Sequence, residues 1–194
     1  MSKYYSLDRI KKVDAQFKIL LGGRNIGKSY ATKHDVLKEC FETGTEFIYL
    51  RRWDRDIKTQ NVLNYFADVD VSGITNGTYT NIDVFQGKIY FYNFDEEGKK
   101  VDKFTVGYSH ALNLNERYKS QIFPKVQRII YEEFITDEGY LPDECNKLQN
   151  YVSTIFRERT GVVYMVGNTI SKLCPYFNEW QLEKVTKMKT HDIA

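Results

Sequence analysis

Residues 17–29 read FKILLGGRNIGKS, a short apolar run that leads into a glycine-rich segment. Phe17–Leu21 has the length and composition of a buried β-strand, and the two glycines after it predict a tight turn. Apolar residues recur at helical spacing from Lys28 to Phe41, which predicts a helix there. A strand, a glycine-rich loop and a helix in this order indicate an α/β domain with the loop at the end of a parallel strand.

The segment from Gly22 to Ser29 matches the pattern G-x-x-x-x-G-K-[ST] in full. Backbone N–H groups of such a loop wrap around phosphates, and the helix that follows favours negative charge at its start. We expect Lys28 to neutralise β- and γ-phosphate oxygens and Ser29 to bind Mg²⁺. A chance glycine turn is the alternative, which the matching strand and helix disfavour. The residues expected to contact ATP are Gly22, Gly23, Arg24, Asn25, Ile26, Gly27, Lys28, Ser29 and Tyr30.

A second apolar run, Val126–Tyr131, ends in the adjacent carboxylates Glu132 and Glu133. In the Walker B pattern the first carboxylate holds Mg²⁺ and the second polarises the attacking water. Asp is usual at the first position, and the longer Glu132 would serve more comfortably through a water molecule. Two solvated acids at a strand end are the alternative. A catalytic Glu133 favours ATP hydrolysis over a kinase reaction.

Polar residues end two other predicted elements. Asn168 follows the predicted strand Val162–Val166 and is either a γ-phosphate sensor or an ordinary turn residue. Arg157 and Arg159 end a predicted helix, where the helix dipole stabilises positive charge. The functional interpretation is that Arg157 is an arginine finger given in trans to the ATP of a neighbouring chain.

Basic residues elsewhere leave two alternatives open. Arg51 and Arg52 follow the predicted strand Phe47–Leu50 and form either a solvated pair or part of the nucleotide edge. Three lysines of a predicted hairpin turn either line a DNA pore or form a solvated turn; they are Lys99, Lys100 and Lys103. DNA contacts through phosphates should weaken steeply with salt.

Composition limits the class of protein. The 194 residues, of which 42% are hydrophobic and 28% charged, suit one globular domain, and a net charge of +2 does not by itself indicate a nucleic-acid surface. Three scattered cysteines predict reduced thiols rather than disulfides or a zinc site. Without a signal peptide or a long apolar run, we expect a soluble intracellular protein and no membrane contact.

The alternation of strands and helices predicts an α/β fold with a mostly parallel sheet flanked by helices. A stretch rich in Thr, Tyr, Gly and Asn predicts an antiparallel hairpin insertion at the sheet edge around residues 79–108. Residues 110–119 are expected to be helical or loop-like. Residues 1–194 are expected to form a single domain.

Together these residues resemble the DNA-packaging ATPases (encapsidation proteins) of small podophages, which are related to large terminase motors. The resemblance runs from about Asp8 to Phe177, and Arg24 inside the phosphate loop is its most specific feature. The other matching segments are Asp8–Ile10, Gly22–Ala31, Phe47–Arg52, Glu132–Ile135, Tyr140–Pro142, Phe156–Arg159, and Asn168 with Pro175–Phe177.

The resemblance implies a P-loop NTPase sheet of the ASCE/RecA-like kind and a homopentameric ring at the portal of a procapsid in the host cytoplasm. ATP hydrolysis in such a ring translocates double-stranded DNA inward, and some relatives dock through a structural RNA. It also implies that Arg157 is the trans-acting finger and that Lys119 is a second basic residue reaching the neighbour's nucleotide.

Two departures from the family pattern qualify the resemblance. Glu132 stands where Asp is usual, and the chain ends soon after the last ATPase strand, whereas these motors resemble two-domain proteins. We therefore expect this chain to be the N-terminal domain of a longer motor protein. The competing functions are a nucleotide-switched assembly or secretion ATPase that does not act on DNA, and a nucleotide kinase, for which no basic lid is evident.

Overall fold

A computed structural model of the chain describes residues 5–168 and 174–188. The strands are β1 (Phe17–Gly22), β2 (Glu46–Arg51), β3 (Asn81–Phe85), β4 (Lys88–Phe94), β5 (Lys100–Ala111), β6 (Val126–Glu132) and β7 (Val162–Asn168). The α-helices are α1 (Asp8–Lys11), α2 (Lys28–Thr43), α3 (Thr59–Phe66), α4 (Val71–Ile74), α5 (Glu144–Phe156) and α6 (Pro175–Glu179). Three 3₁₀ segments cover Asp54–Ile57, Leu112–Tyr118 and Glu183–Lys187.

The strands of this described part form one sheet in the order β1-β7-β6-β2-β5-β4-β3. The pairs β1–β7, β7–β6, β6–β2 and β2–β5 are parallel, whereas β5–β4 and β4–β3 are antiparallel. The predicted mostly parallel sheet and the antiparallel hairpin at its edge are therefore confirmed. Because parallel strands end at one edge, the residues at the carboxyl ends of β1, β2, β6 and β7 meet there.

Strand β5 is longer than the sequence predicts, and it belongs to both parts of the sheet. Its first half pairs antiparallel with β4, and its second half pairs parallel with β2 from Gly107 to Ala111. The prediction that residues 110–119 are helical or loop-like is wrong at its start, because His110 is the penultimate residue of β5. His110 is buried in the strand by stacking on Tyr118, with ring centroids 3.8 Å apart.

Two apolar clusters cover the faces of the sheet, because successive strand residues point to opposite sides. One face packs against α2, with Phe47 and Tyr49 of β2 contacting the cluster that includes Val36. The opposite face packs Ile48 and Leu50 against the cluster formed with α5. Helices therefore flank the sheet on both sides.

The three cysteines, Cys40, Cys145 and Cys174, are buried free thiols, as predicted. Burial raises the pKa of the Cys40 thiol to about 12, so this group stays protonated and unreactive. No helix among the described residues combines the length and apolar character needed to cross a bilayer.

Candidate functional site

The loop from Gly22 to Ser29 connects the end of β1 to the start of α2, in the arrangement that the sequence predicts. Gly27 adopts a φ of 86°, a left-handed conformation that a residue with a Cβ rarely takes. The Lys28 ammonium donates hydrogen bonds to the carbonyls of Gly22 and Gly23, at 3.1 and 2.7 Å. Lys28 is thus held at the loop, with its charge in the place where phosphates are expected.

Strands β6 and β7 bring two more predicted residues to this loop. The Lys28 ammonium donates to the side-chain oxygen Oδ1 of Asn168 at 3.2 Å, across 140 positions of sequence. The Ser29 hydroxyl donates to Glu132 Oε2 at 3.1 Å, across 103 positions. Lys28, Ser29, Glu132 and Asn168 therefore form one connected site.

Glu132 is a buried carboxylate with a second partner that no sequence pattern indicates. Its side chain accepts a hydrogen bond from the Tyr65 hydroxyl at 2.7 Å, and the residue is 5% exposed. Burial raises the pKa of Glu132 to about 6, against the hydrogen bonds from Tyr65 and Ser29, which lower it. Tyr65 lies on α3 and stacks on Tyr49 with ring centroids 4.4 Å apart.

The spacing of Ser29 and Glu132 suits a magnesium ion. Their oxygens are 3.1 Å apart. Neighbouring ligands of an octahedral Mg²⁺ at its usual distance lie about 3 Å apart. Direct ligation of Mg²⁺ by Glu132 is therefore compatible with this geometry, although the sequence led us to expect a water-mediated contact. No cluster of three or more His, Cys, Asp or Glu side chains in the described ranges forms a metal site by itself, so phosphate and water oxygens would complete the coordination.

Glu133 forms an ion pair with Arg51. Its carboxylate is 62% exposed and lies 2.5 Å from Arg51 Nη2. Arg51 also donates to the Tyr49 hydroxyl at 3.3 Å, and Asp56 lies 3.7 Å away. Arg51 is therefore not one of a solvated pair, because its guanidinium is largely buried beside the predicted catalytic carboxylate.

Arg52 has a different role from Arg51. It is buried and forms a bidentate ion pair with Glu144 at the start of α5, at 2.7 and 3.0 Å. It also donates to the backbone carbonyls of Glu133 and Phe134, at 3.2 and 2.7 Å. The solvated interpretation is therefore wrong for Arg52, which fixes the backbone immediately after β6.

A cleft of about 280 Å³ joins the phosphate loop to this carboxylate edge. Its lining comes from the loop, the ends of β2, β6 and β7, and the segment after β6. The lining residues are Arg24, Arg51, Arg52, Trp53, Asp56, Glu133, Ile135, Thr136, Asp137, Glu138 and Asn168. Arg24 is exposed there; Ile26, later in the loop, and Tyr30, at the start of α2, are exposed as well.

Arg157 lies away from the phosphate loop of its own chain. Its guanidinium donates to the carbonyl of Gln121 at 3.3 Å. The neighbouring Arg159 donates to the carbonyl of Val126, the first residue of β6. This is the amino end of the strand whose carboxyl end carries Glu132, and seven residues of strand span about 20 Å. Arg157 therefore cannot complete the site of the chain that carries it.

Lys119 and Arg157 share one surface. Lys119 is exposed, pairs with Glu116 at 2.7 Å, and lies two residues before Gln121, which bonds to Arg157. The two residues expected to act in trans are therefore close to each other. Arg159, by contrast, donates hydrogen bonds to backbone carbonyls, including those of Phe123 and Ile155 at 2.8 and 2.7 Å. These bonds agree with a structural role for Arg159 at the end of the helix.

The sheet order, the glycine-rich loop and the adjoining carboxylates define an α/β protein with a polar site at the carboxyl ends of its parallel strands. Residues 1–190 match the family model described as podovirus DNA encapsidation protein (Gp16). The chain belongs to this family.

Individual relatives agree with the family assignment. The DNA packaging protein of Bacillus phage B103 is 31% identical over 170 residues, which cover 84% of this chain and 47% of that protein. The N-terminal domain of the DNA packaging ATPase from bacteriophage phi29 superposes with a TM-score of 0.77 at 28% identity, covering 98% of this chain and 93% of that domain. A chain of the phi29 viral genome packaging motor assembly gives a TM-score of 0.71 at 28% identity, covering 93% of this chain and 51% of its own length. The chain thus spans about half the length of the curated relatives that it matches.

Proposed function

We propose that this chain binds Mg·ATP at Gly22–Ser29 and hydrolyses it, as the ATPase domain of a ring motor that moves double-stranded viral DNA into a procapsid. The observation that carries the proposal is the connection of Lys28 to Asn168 and of Ser29 to Glu132. These contacts join the start of α2 to the ends of β6 and β7, and they support a phosphate-binding role for Lys28, a metal-binding role for Ser29 and Glu132, and a sensor role for Asn168. The packaging proteins to which the chain is similar support the motor role.

Each residue of the site has a chemical role in this proposal. On nucleotide binding, Lys28 would exchange the carbonyls of Gly22 and Gly23 for phosphate oxygens. Ser29 and Glu132 would hold Mg²⁺, which supplies charge neutralisation at the β- and γ-phosphates. Glu133 would accept a proton from the water that attacks the γ-phosphorus, while the bond to the β–γ bridging oxygen breaks and ADP leaves.

The assembly that we propose is a homo-oligomeric ring at the procapsid portal, a pentamer by family resemblance. The same resemblance offers a structural RNA as a further partner, since some relatives dock through one. Arg157 and Lys119 reach the nucleotide of the next chain in such a ring. The hairpin lysines offer little support for a DNA-binding pore, because Lys99 pairs with Glu97 and Lys100 with Asp83. The solvated-turn interpretation therefore suits Lys99 and Lys100 better.

A nucleotide-switched ATPase that does not act on DNA is the second candidate. The ion pair between Glu133 and Arg51 favours it, since this carboxylate must leave Arg51 before it can activate water. Phosphate release from Mg·ATP with and without double-stranded DNA separates the two candidates. We expect DNA to stimulate release, with the stimulation lost as salt rises, and Lys28→Ala to abolish release. Phosphate release that DNA does not change at any salt concentration would support the nucleotide-switched ATPase.

Arg157 can be tested by titrating defective chains into the wild type. A Lys28→Ala chain cannot use ATP but still donates Arg157, whereas a Lys28→Ala/Arg157→Ala chain donates nothing. Each variant would be mixed with an equal amount of wild type. In a ring with head-to-tail contacts, half of the wild-type chains then have the variant as the neighbour that supplies Arg157. Phosphate release per wild-type chain should therefore be about half as fast with the double variant as with the single variant. Identical effects of the two variants would contradict a role for Arg157 at the nucleotide of the neighbouring chain. Lys38→Ala, on the exposed surface of α2, serves as an unrelated control.

Tyr65→Phe should make Mg·ATP binding depend more strongly on pH. The Tyr65 hydroxyl lowers the pKa of Glu132, so its loss should raise that pKa further above its present value of about 6. A protonated Glu132 is a poor magnesium ligand. We therefore expect the affinity of the variant for Mg·ATP to fall several-fold at about pH 6.5 and to recover at about pH 8. Nucleotide titration measures this, with Tyr151→Phe, which removes a buried hydroxyl next to His110, as the control. An equal loss at both pH values would contradict the role of Tyr65.

A further inference from the structure

We propose that Ile122 of one chain docks against Ile26 and Tyr30 of the next chain, and that this apolar contact sets the register in which Arg157 reaches the neighbour's nucleotide. The inference rests on the proposed function, since it places a second copy of the chain at the nucleotide site.

Exposed apolar side chains mark both halves of this contact. Among the described residues, five large hydrophobic side chains are exposed: Ile26 (45%), Tyr30 (38%), Phe85 (63%), Phe94 (52%) and Ile122 (69%). The two aliphatic ones stand on opposite halves of the composite site. Ile26 lies in the phosphate loop, and Ile122 follows Gln121, the partner of Arg157. Each half of the site thus presents one isoleucine to solvent.

Contacts at both ends hold the segment that carries Ile122, residues 119–122. Buried aromatic side chains anchor both of its ends, because Tyr118 stacks on His110 and Phe123 meets the same ring with centroids 5.0 Å apart. The backbone N–H of Gln121 donates to the Tyr118 carbonyl at 3.0 Å, and the backbone carbonyl of Gln121 accepts from Arg157. Ile122 is therefore next in sequence to the residue that Arg157 contacts, so a contact made by Ile122 would bring the arginine to the same interface. An ordered segment also loses little conformational entropy on docking.

The receiving surface is the rim of the phosphate loop. Tyr30 lies in the first turn of α2 and stacks on His34 with ring centroids 5.8 Å apart, which leaves one side of its ring to solvent. Ile26 lies four residues earlier, in the loop itself. A side chain that packs on this rim would stand beside any phosphate that Lys28 holds. The rim and the Ile122 segment are different surfaces, so their contact is head-to-tail and can close a ring.

Charge favours a second copy with nucleotide bound as the occupant of this rim. Arg157 and Lys119, the latter paired with Glu116, flank Ile122, and Arg24 stands two residues before Ile26, so each apolar residue has basic side chains near it. Like charges oppose the contact when the site is empty. The phosphates of Mg·ATP lie between the two surfaces in the proposed assembly and supply the missing negative charge. The contact should therefore form in the presence of nucleotide.

Thiol cross-linking tests the contact directly. The three native cysteines are buried, so introduced surface thiols are the ones that react. We would mix an Ile122→Cys chain with a Tyr30→Cys chain, both carrying Glu133→Gln to preserve ATP, and add a short bifunctional maleimide. A cross-linked dimer that increases with Mg·ATP is expected. The matched control, Phe94→Cys with Tyr30→Cys, should give none, since Phe94 is the exposed last residue of β4 in the antiparallel hairpin, outside the proposed contact.

Enzyme kinetics give an independent reading. Ile122→Ser should raise the chain concentration needed for half-maximal phosphate release by about tenfold or more, with Mg·ATP binding to the single chain unchanged. Phe94→Ser should change neither quantity. Absence of concentration-dependent release from the wild type would count against the proposed function itself. Normal wild-type behaviour, with Ile122→Ser equal to Phe94→Ser and no cross-link, would overturn the docking proposal alone.

Discussion

Glu133→Gln is expected to lower the rate of ATP hydrolysis by about 10²–10⁴-fold, the usual contribution of a general base. Glutamine keeps the size of the side chain but cannot accept a proton from the attacking water. Mg·ATP affinity should stay within about twofold, because the contacts of Lys28 and Ser29 do not involve Glu133. Single-turnover phosphate release and nucleotide titration measure the two quantities separately.

The matched control for this variant is Glu138→Gln. Glu138 lines the same cleft, is 69% exposed and also pairs with an arginine, Arg55, at 2.8 Å. It has no place in the proposed chemistry, so its loss should leave turnover near the wild-type rate. If wild type and Glu133→Gln turned over equally slowly, the site would act as a nucleotide switch rather than as an ATPase.

Glu144→Ala should produce the largest loss of stability, about 3–5 kcal/mol of unfolding free energy, because it leaves a buried arginine without its counter-ion. The Glu144 carboxylate is fully buried between Arg52 and the hydroxyls of Tyr131 and Tyr176, with oxygen–oxygen distances of 2.8 and 2.7 Å. It also accepts the backbone N–H of Leu141 at 2.8 Å. Urea denaturation followed by circular dichroism measures the change.

Two further variants keep this prediction testable even if the alanine variant fails to fold. Glu144→Gln retains part of the hydrogen bonding and should cost less than the alanine substitution. Glu42→Ala removes the exposed pair with Lys38 on α2 and should cost no more than about 0.5 kcal/mol. Losses of equal size for Glu144→Ala and Glu42→Ala would show that the buried network does not stabilise the fold.

The parts of the fold that the sequence predicts are those encoded by local patterns. The strand, glycine loop and helix around Lys28 follow from apolar spacing and glycine placement within some 25 residues, and the carboxylates after β6 follow from a single apolar run. Strand β5 was harder to predict because it changes partner halfway. Its polar residues Ser109 and His110 suggest a loop until Tyr118 and Tyr151 are known to bury the histidine.

The contacts that tune the site were not predictable, because they join distant positions. Arg51 meets Glu133 across 82 residues, and Arg52 meets Glu144 across 92. Tyr65 reaches Glu132 across 67 residues from a helix with no motif of its own. Sequence spacing could place Arg157 at a helix end, but only the contacts of Arg157 and Arg159 near the amino end of β6 show that this end lies far from Lys28 of the same chain.

Complementation between two inactive variants tests the central claim most directly, namely that two chains build one hydrolytic site. Glu133→Gln and Arg157→Ala chains would be mixed in equal amounts, at the concentration where wild-type phosphate release is saturated. A site with Glu133 from one variant and Arg157 from the other is complete, and random mixing makes about a quarter of the interfaces complete. We expect phosphate release to recover to about that fraction of the wild-type rate. Release no greater than the sum of the separate variants would contradict the account.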